Sequence, residues 1–132
     1  MTVIATDTPR FSNLVKHELW PETGYCRKEV TANEAAIKTY AVGTVLGKVT
    51  ATGKYKIAVE TAVDGSKVAA ALVLNDYSIA AATDTKVLTL IQGPAEISKG
   101  ALVLDATYDD DTKKNAVYAS LEALGINVLT TV

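Results

Sequence analysis

The alternation of apolar and polar residues predicts short β-strands over most of the chain. Between residues 49 and 59, Tyr55, Ile57 and Val59 fall on one face and lysines on the other, which is the two-residue period of a half-buried hairpin strand. Further strands are predicted from about residue 25 and over residues 40–46, 68–74, 86–92, 95–97, 101–104 and 126–129. Short strands with frequent turns favour a small, mostly antiparallel barrel or sandwich, so the expected fold class is mainly β (α+β).

One segment near the end of the chain has the pattern of an amphipathic helix. The helix is predicted from about Thr112 to Leu124, with Asp111 or Thr112 as its N-cap and Gly125 ending it. Its apolar stripe is Val117, Leu121 and Leu124, and Ala116, Ala119 and Ala123 lie beside the stripe, where they are expected to permit close packing. Residues 32–38 fit either a short helical turn or a loop. The barrel or sandwich is thus expected to carry one C-terminal helix.

The first sixteen residues show neither a helical nor a strand period. We therefore expect a flexible N-terminal arm over residues 1–16 and a single domain over residues 17–132. Extended, the arm reaches at most ~53 Å, compared with a domain radius of gyration of about 14 Å. Isolated apolar residues on such an arm suit a segment that folds against a partner. The candidate contact residues are Val3, Ile4, Phe11, Leu14, Val15 and Trp20.

Trp20 is the only tryptophan and precedes Pro21. The proline biases Trp20 to extended geometry. The indole fits either an interface anchor or a core aromatic residue.

Composition and charge narrow the class of partner. Hydrophobic residues make up 48% of the chain and aromatic residues only 6%, so the core is expected to consist of Ala, Val, Leu and Ile. The net charge of −2 argues against direct binding of nucleic acid. A single cysteine allows no internal disulfide, which fits a reducing cytoplasm. The sequence has neither an evident signal peptide nor an apolar run of membrane-spanning length, so we expect no membrane association.

Residues with catalytic or metal-binding chemistry are few. His17 and Cys26 are the only histidine and the only cysteine, and a thiol enzyme needs both in one cleft with an orienting group. Residues 109–111 are three consecutive aspartates, which are better explained by helix capping than by a metal site. We therefore predict no catalytic, cofactor or metal site and no enzymatic activity.

A group of lysines provides the remaining candidate site. Lys48, Lys54 and Lys56 surround Tyr55 and could imitate a platform for single-stranded nucleic acid. Tyr55 is expected to face away from Lys54 and Lys56, so a solvated hairpin face is the better interpretation. The glycines match neither a dinucleotide-binding nor a phosphate-loop spacing.

Four segments, in their order and spacing, carry a resemblance to a known family. They are residues 19–27 (LWPETGYCR), 70–74 (AALVL) after the Asp64-Gly65 turn, 93–97 (GPAEI), and the closing helix with residues 125–128 (GINV). From residue 18 to the end, the chain resembles the head decoration proteins of tailed bacteriophages, of the phage-lambda type.

The resemblance implies a compact, mainly β protein of the beta-clip type. Such proteins form homotrimers at three-fold and quasi-three-fold positions on the outer surface of the expanded capsid and stabilise it against packaged genome pressure. Their N-terminal arm adds to a strand of the major capsid protein. The implied localisation is the virion surface, after a period in the host cytoplasm before assembly. Alternatives are another phage structural β domain, from the tail or baseplate, and a small cellular binding module.

Overall fold

The computed structural model describes residues 14–20 and 23–129. This part of the chain contains ten strands and one α-helix. The strands are β1 Val15–Glu18, β2 Arg27–Ala32, β3 Lys38–Tyr40, β4 Val45–Lys48, β5 Tyr55–Ile57, β6 Ala69–Val73, β7 Tyr77–Ile79, β8 Thr85–Leu90, β9 Ala95–Ser98 and β10 Ile126–Leu129, and the helix is α1 Asp111–Ala123. A turn of 3₁₀-helix, Lys99–Ala101, follows β9. The predicted mainly β fold with one C-terminal helix is confirmed.

Five strands close into a barrel in the order β2-β5-β4-β6-β8. The longest pairing joins β2 to β8 in antiparallel register, from Arg27 opposite Leu90 to Ala32 opposite Thr85. The shortest joins β2 to β5 in parallel through a single pair, Ala32 opposite Tyr55. Of the two architectures left open by the sequence, the structure has the barrel, and its seam between β2 and β5 is short.

The apolar residues form two cores, one on each side of the barrel wall. The first fills the barrel and continues under the β3–β7 ribbon; its buried members are Val30, Ala32, Tyr40, Leu46, Ala71, Val73, Ile79 and Val87. The second lies between the barrel, the outer sheet and α1, and includes Leu14, Cys26, Leu72, Leu90, Ile97, Val117, Leu121 and Ile126. Adjacent residues of one strand contribute to different cores, as Val45 and Leu46 do, because successive strand side chains point to opposite faces.

The outer sheet has three strands in the order β1-β9-β10. β1 runs antiparallel to β9, whereas β10 runs parallel to it. Val15, at the start of β1, and Val128, near the end of β10, both lie opposite Ile97. The described chain therefore enters and leaves the domain at the same end of one small sheet.

Helix α1 begins one residue earlier than predicted. Its N-cap is Asp110, whose carboxylate accepts a hydrogen bond from the Lys113 N–H at 2.8 Å, and neither Asp111 nor Thr112 is the cap. Asp110 has the extended backbone of a capping residue (φ −138°, ψ 168°). Gly125, at φ 87°, ends the helix as predicted, because a left-handed residue after the last turn favours glycine.

The helix packs through fewer residues than the sequence indicated. Val117 and Leu121 are buried, and Leu124 packs against the second core. Ala116, Ala119 and Ala123 are exposed, so the prediction that they permit close packing is wrong. None of the helices among the described residues is long and apolar enough to cross a membrane.

Three predicted strands differ from those observed. The strand predicted over residues 40–46 is interrupted at residues 41–44, between β3 and β4. Residues 101–104 form no regular strand: Val103 makes an isolated bridge to Thr44, in which the Val103 N–H donates to Gly43 O and the Val45 N–H donates to Val103 O. Residues 49–54 form the loop of the β4–β5 hairpin, closed by the Val49 N–H to Lys54 O hydrogen bond of 2.8 Å. A single bridge at Val103 and a turn at residues 49–54 thus replace the ladders that the apolar pattern predicted.

A glycine allows one loop to lie directly on the barrel. A Cβ on Gly47 would lie 1.9 Å from the backbone oxygen of Ser66. Only a residue without a side chain permits this approach of the loop before β6 to strand β4. The turn of that loop is held by Asp64, whose Oδ1 accepts hydrogen bonds from the Ser66 N–H and hydroxyl at 3.0 and 2.6 Å.

Candidate functional site

The predicted contact residues fall into three groups. Val3, Ile4 and Phe11 lie outside the described residues. Leu14 and Val15 belong to the second core, with exposed fractions of 0% and 8%, and Val15 pairs with Ile97 across the β1–β9 ladder. The folded domain thus extends at least to Leu14, and the predicted arm boundary at residue 16 is corrected, because the pairing of β1 with β9 draws these residues into the sheet.

Trp20 is 56% exposed, and therefore it is not a core aromatic residue. Its backbone has a φ of 50°, so the extended geometry predicted from the following proline is wrong. Two hydrogen bonds hold this conformation: the Thr23 N–H and hydroxyl both donate to Trp20 O, at 3.1 and 3.0 Å. A non-glycine residue at positive φ costs of order 1–3 kcal/mol and persists where its surroundings fix it.

The Trp20 ring packs edge to face on Tyr25, with 5.2 Å between the ring centroids. Tyr25 is itself 45% exposed, and its backbone oxygen accepts a hydrogen bond from the Gln92 side chain at 2.9 Å. We call these two rings the aromatic pair. An exposed Trp–Tyr pair on a fixed turn has the composition of an interface anchor.

The strand before the aromatic pair is fixed by a partly buried ion pair. Glu18, 6% exposed, lies on β1, and Arg27 on β2 donates from Nε to its two carboxylate oxygens at 3.2 and 3.1 Å. The hydrogen bond to Glu18 raises the pKa of Arg27. The pair joins the outer sheet to the barrel.

His17 and Cys26 do not form a nucleophilic pair. His17 is exposed on β1, whereas Cys26 is completely buried. The Cys26 thiol is directed to two backbone oxygens, 3.7 Å from Leu19 O and 3.6 Å from Pro94 O. Among the described residues no hydrogen bond joins the thiol to the imidazole, and the thiol is part of the second core.

Asp109 and Asp110, which precede α1, both accept hydrogen bonds from Lys113 in the first turn of the helix. Asp110 caps the helix, and Asp109 accepts an ion-paired hydrogen bond from Lys113 at 2.9 Å. That bond lowers the pKa of Asp109 and raises the pKa of Lys113. In the part of the chain that the structure describes, no three His, Cys, Asp or Glu side chains are grouped as a metal site.

The lysines around Tyr55 do not form an open basic platform. Lys54 pairs with Asp84 at 3.0 Å and Lys56 with Asp64 at 3.3 Å. Tyr55 packs against the barrel core, facing away from them as predicted. Two of the three positive charges are thus already matched within the chain.

The sequence analysis missed Glu34, in the loop between β2 and β3. It is a carboxylate with an exposed fraction of only 4%. The Tyr40 hydroxyl and the Ile57 N–H both donate to its Oε2, the latter at 2.8 Å. Burial, and next the hydrogen bond to Glu34, raises the pKa of Tyr40 far above its usual value. No local pattern marks this residue, because a glutamate in a polar loop is ordinarily exposed.

Glu34 closes the short seam of the barrel. On the edge of β5 that faces β2, the next backbone donor beyond the pair of Ala32 and Tyr55 is the Ile57 N–H. This N–H donates to the Glu34 carboxylate instead of to a neighbouring strand. A cleft of about 260 Å³ opens beside the carboxylate. Its lining residues are Glu34, Ala35, Ala36, Lys38, Lys56, Ile57, Val59 and Asp105.

A comparison with models of known protein families identifies a related family. The family model described as bacteriophage lambda head decoration protein D matches residues 5–126, which is nearly the whole chain. No curated protein matches the chain.

Proposed function

Because the chain belongs to the family of bacteriophage lambda head decoration protein D, we propose that it cements the phage head from outside. Head decoration is a structural role in the capsid. In this proposal three copies form a homotrimer on the outer surface at three-fold and quasi-three-fold sites of the expanded head. The trimer stabilises the shell against genome pressure without catalysis. Before assembly the protein resides in the host cytoplasm.

The observation that carries the proposal is the family match over residues 5–126. The position of β1 supports the role of the arm. β1 is an end strand of the outer sheet, and residues 1–13 precede it in the sequence. Strand addition draws its affinity from main-chain hydrogen bonds and demands little of side-chain identity. The arm of the proposal therefore comprises residues 1–13, with Trp20 as an additional contact.

With three arms on one trimer, weak contacts of each arm are sufficient for tight attachment to the capsid. Once one arm is bound, the other two bind intramolecularly, at an effective concentration set by the spacing of their sites. A trimer that binds only the expanded lattice stabilises that lattice by mass action. No bond needs to be made or broken for this function.

Deletion of residues 1–13 tests the proposal. We expect the truncated protein to keep its fold, by circular dichroism, and its trimeric mass, by light scattering, because β1 and both cores remain. It should no longer cosediment with expanded heads, whereas the full-length protein should bind them and raise their resistance to heat. Equal occupancy by both proteins would refute the role of the arm. A purely monomeric full-length protein over a wide concentration range would refute the trimer.

A further inference from the structure

Glu34 is more than nine-tenths buried, yet one of its carboxylate oxygens is left open. Both hydrogen bonds that it accepts, from Tyr40 and Ile57, go to Oε2. Among the described residues, every side-chain nitrogen or oxygen shut off from solvent has a hydrogen-bond partner. Since no described donor binds Oε1, this atom must be reached by solvent, and Glu34 lines the cleft at the barrel seam.

The cleft combines an apolar wall with an excess of negative charge. Ala35, Ala36 and Val59 contribute aliphatic surface. The charged groups are Glu34 and Asp105 on the negative side, Lys38 on the positive side, and Lys56, which is paired with Asp64 at 3.3 Å. Asp64, which does not line the cleft, neutralises Lys56, so the remaining charged groups of the lining, Glu34, Asp105 and Lys38, leave a net charge of −1. A single cationic group would therefore neutralise the cleft and supply the donor that Oε1 lacks.

We propose that this cleft binds an arginine side chain of the major capsid protein. A guanidinium is more weakly hydrated than an ammonium group and presents several N–H donors in one plane. It can donate to Glu34 Oε1 while its methylene stem packs on the alanines and the valine. The identity of the partner rests on the proposed capsid function, whereas the affinity of the cleft for a guanidinium does not.

The intrinsic affinity is tested on the free protein with N-butylguanidinium chloride as the probe. The amide resonances of Ile57 and Ala35 are followed by two-dimensional NMR. We expect saturable shifts with a dissociation constant on the order of millimolar, weaker binding of N-butylammonium, and none with sodium chloride at equal ionic strength. Absence of saturation, or equal shifts with sodium chloride, would overturn the inference.

Glu34→Gln is the decisive variant. Its amide oxygen can still accept from Tyr40 and Ile57, so the seam stays closed, while its NH₂ group replaces the open acceptor. Loss of one charge-assisted hydrogen bond should weaken probe binding roughly ten- to hundred-fold. Glu29→Gln, on the exposed part of β2, removes the same charge elsewhere and should bind like wild type. Ala36→Phe, at an exposed position, fills the cleft and leaves Glu34 intact, should Glu34→Gln fold poorly.

Cosedimentation with expanded heads tests the partner. We expect Glu34→Gln and Ala36→Phe to bind at least about tenfold more weakly than Glu29→Gln. Equal binding of all three variants would exclude the capsid arginine. If the wild-type protein itself did not attach to expanded heads, both the proposed capsid function and the capsid arginine as partner would be refuted. The NMR titration with N-butylguanidinium would still decide whether the cleft binds a guanidinium.

Discussion

Replacing Glu34 by alanine should open the barrel at its shortest seam. The substitution leaves two donors without an acceptor. The Tyr40 side chain is 0% exposed, so leaving its hydroxyl without an acceptor costs ~1–3 kcal/mol. The Ile57 N–H is only partly buried, so leaving it without an acceptor costs about 1 kcal/mol. The sum is about 2–4 kcal/mol, a large fraction of the 5–15 kcal/mol typical of a domain.

The expected change is large enough to measure in two ways. With an unfolding entropy of ~2.1 cal/mol/K per residue, a loss of 3 kcal/mol lowers the Tm of a 132-residue protein by about 11 °C. Urea denaturation should show a lower midpoint at an unchanged slope. Protein concentration must be held constant, because stability of an oligomer depends on it. Glu29→Ala, on the exposed part of β2, is the matched control and should change stability by less than ~0.5 kcal/mol.

A double-mutant cycle separates the hydrogen bond from the void that alanine leaves. Tyr40→Phe removes the buried hydroxyl, so adding it to Glu34→Ala relieves one of the two unpaired donors. The double variant should therefore lose at least about 1 kcal/mol less than the sum of the two single losses. Additivity within ~0.5 kcal/mol would mean that Glu34 and Tyr40 act independently, and the account of the seam would be wrong.

Two further predictions concern the loop before β6. Gly47→Ala should lower the free energy of unfolding in urea by about 3 kcal/mol or more, because its Cβ would lie 1.9 Å from Ser66 O. The control Gly100→Ala, whose Cβ would have nothing within 4 Å, should be neutral. Equal effects of the two substitutions would contradict this packing. The hydrogen bond from the Ser66 hydroxyl is the main cause that lowers the pKa of Asp64 to about 2. The stabilisation from Asp64 is therefore present above pH ~4 and lost as the pH falls towards 2. Asp64→Asn should flatten the dependence of the free energy of unfolding on pH in this range. An unchanged pH dependence would contradict the role given to the Asp64–Ser66 hydrogen bond.

The features that the sequence predicted are those set by local periodicity. The alternation around Tyr55 and Ile57 placed β5, and the spacing of Val117 and Leu121 placed the buried face of α1. Strand and helix periods depend only on neighbouring residues, and one buried face makes them visible. The cap of α1 was missed by a single residue, because several consecutive aspartates compete for one role.

The remaining features depend on contacts between distant parts of the chain. Leu14 and Val15 are buried because β1 pairs with β9, some eighty residues later, and no local pattern encodes that register. The left-handed backbone of Trp20 depends on hydrogen bonds from Thr23. Glu34 is buried because one edge of β5 has too short a partner strand. Sequence reasoning thus found the elements but missed the groups that close the gaps between them.

The arrangement of the outer sheet has a topological consequence. β1 and β10 lie on either side of β9, so the start of β1 and the end of β10 are about 10 Å apart, two strand spacings. Three or four residues could join them. Residues 14–129 are therefore suited to circular permutation, with new ends in the surface loop at the fully exposed Val63. Such a permuted variant would change the order of the elements along the chain and keep their arrangement in space.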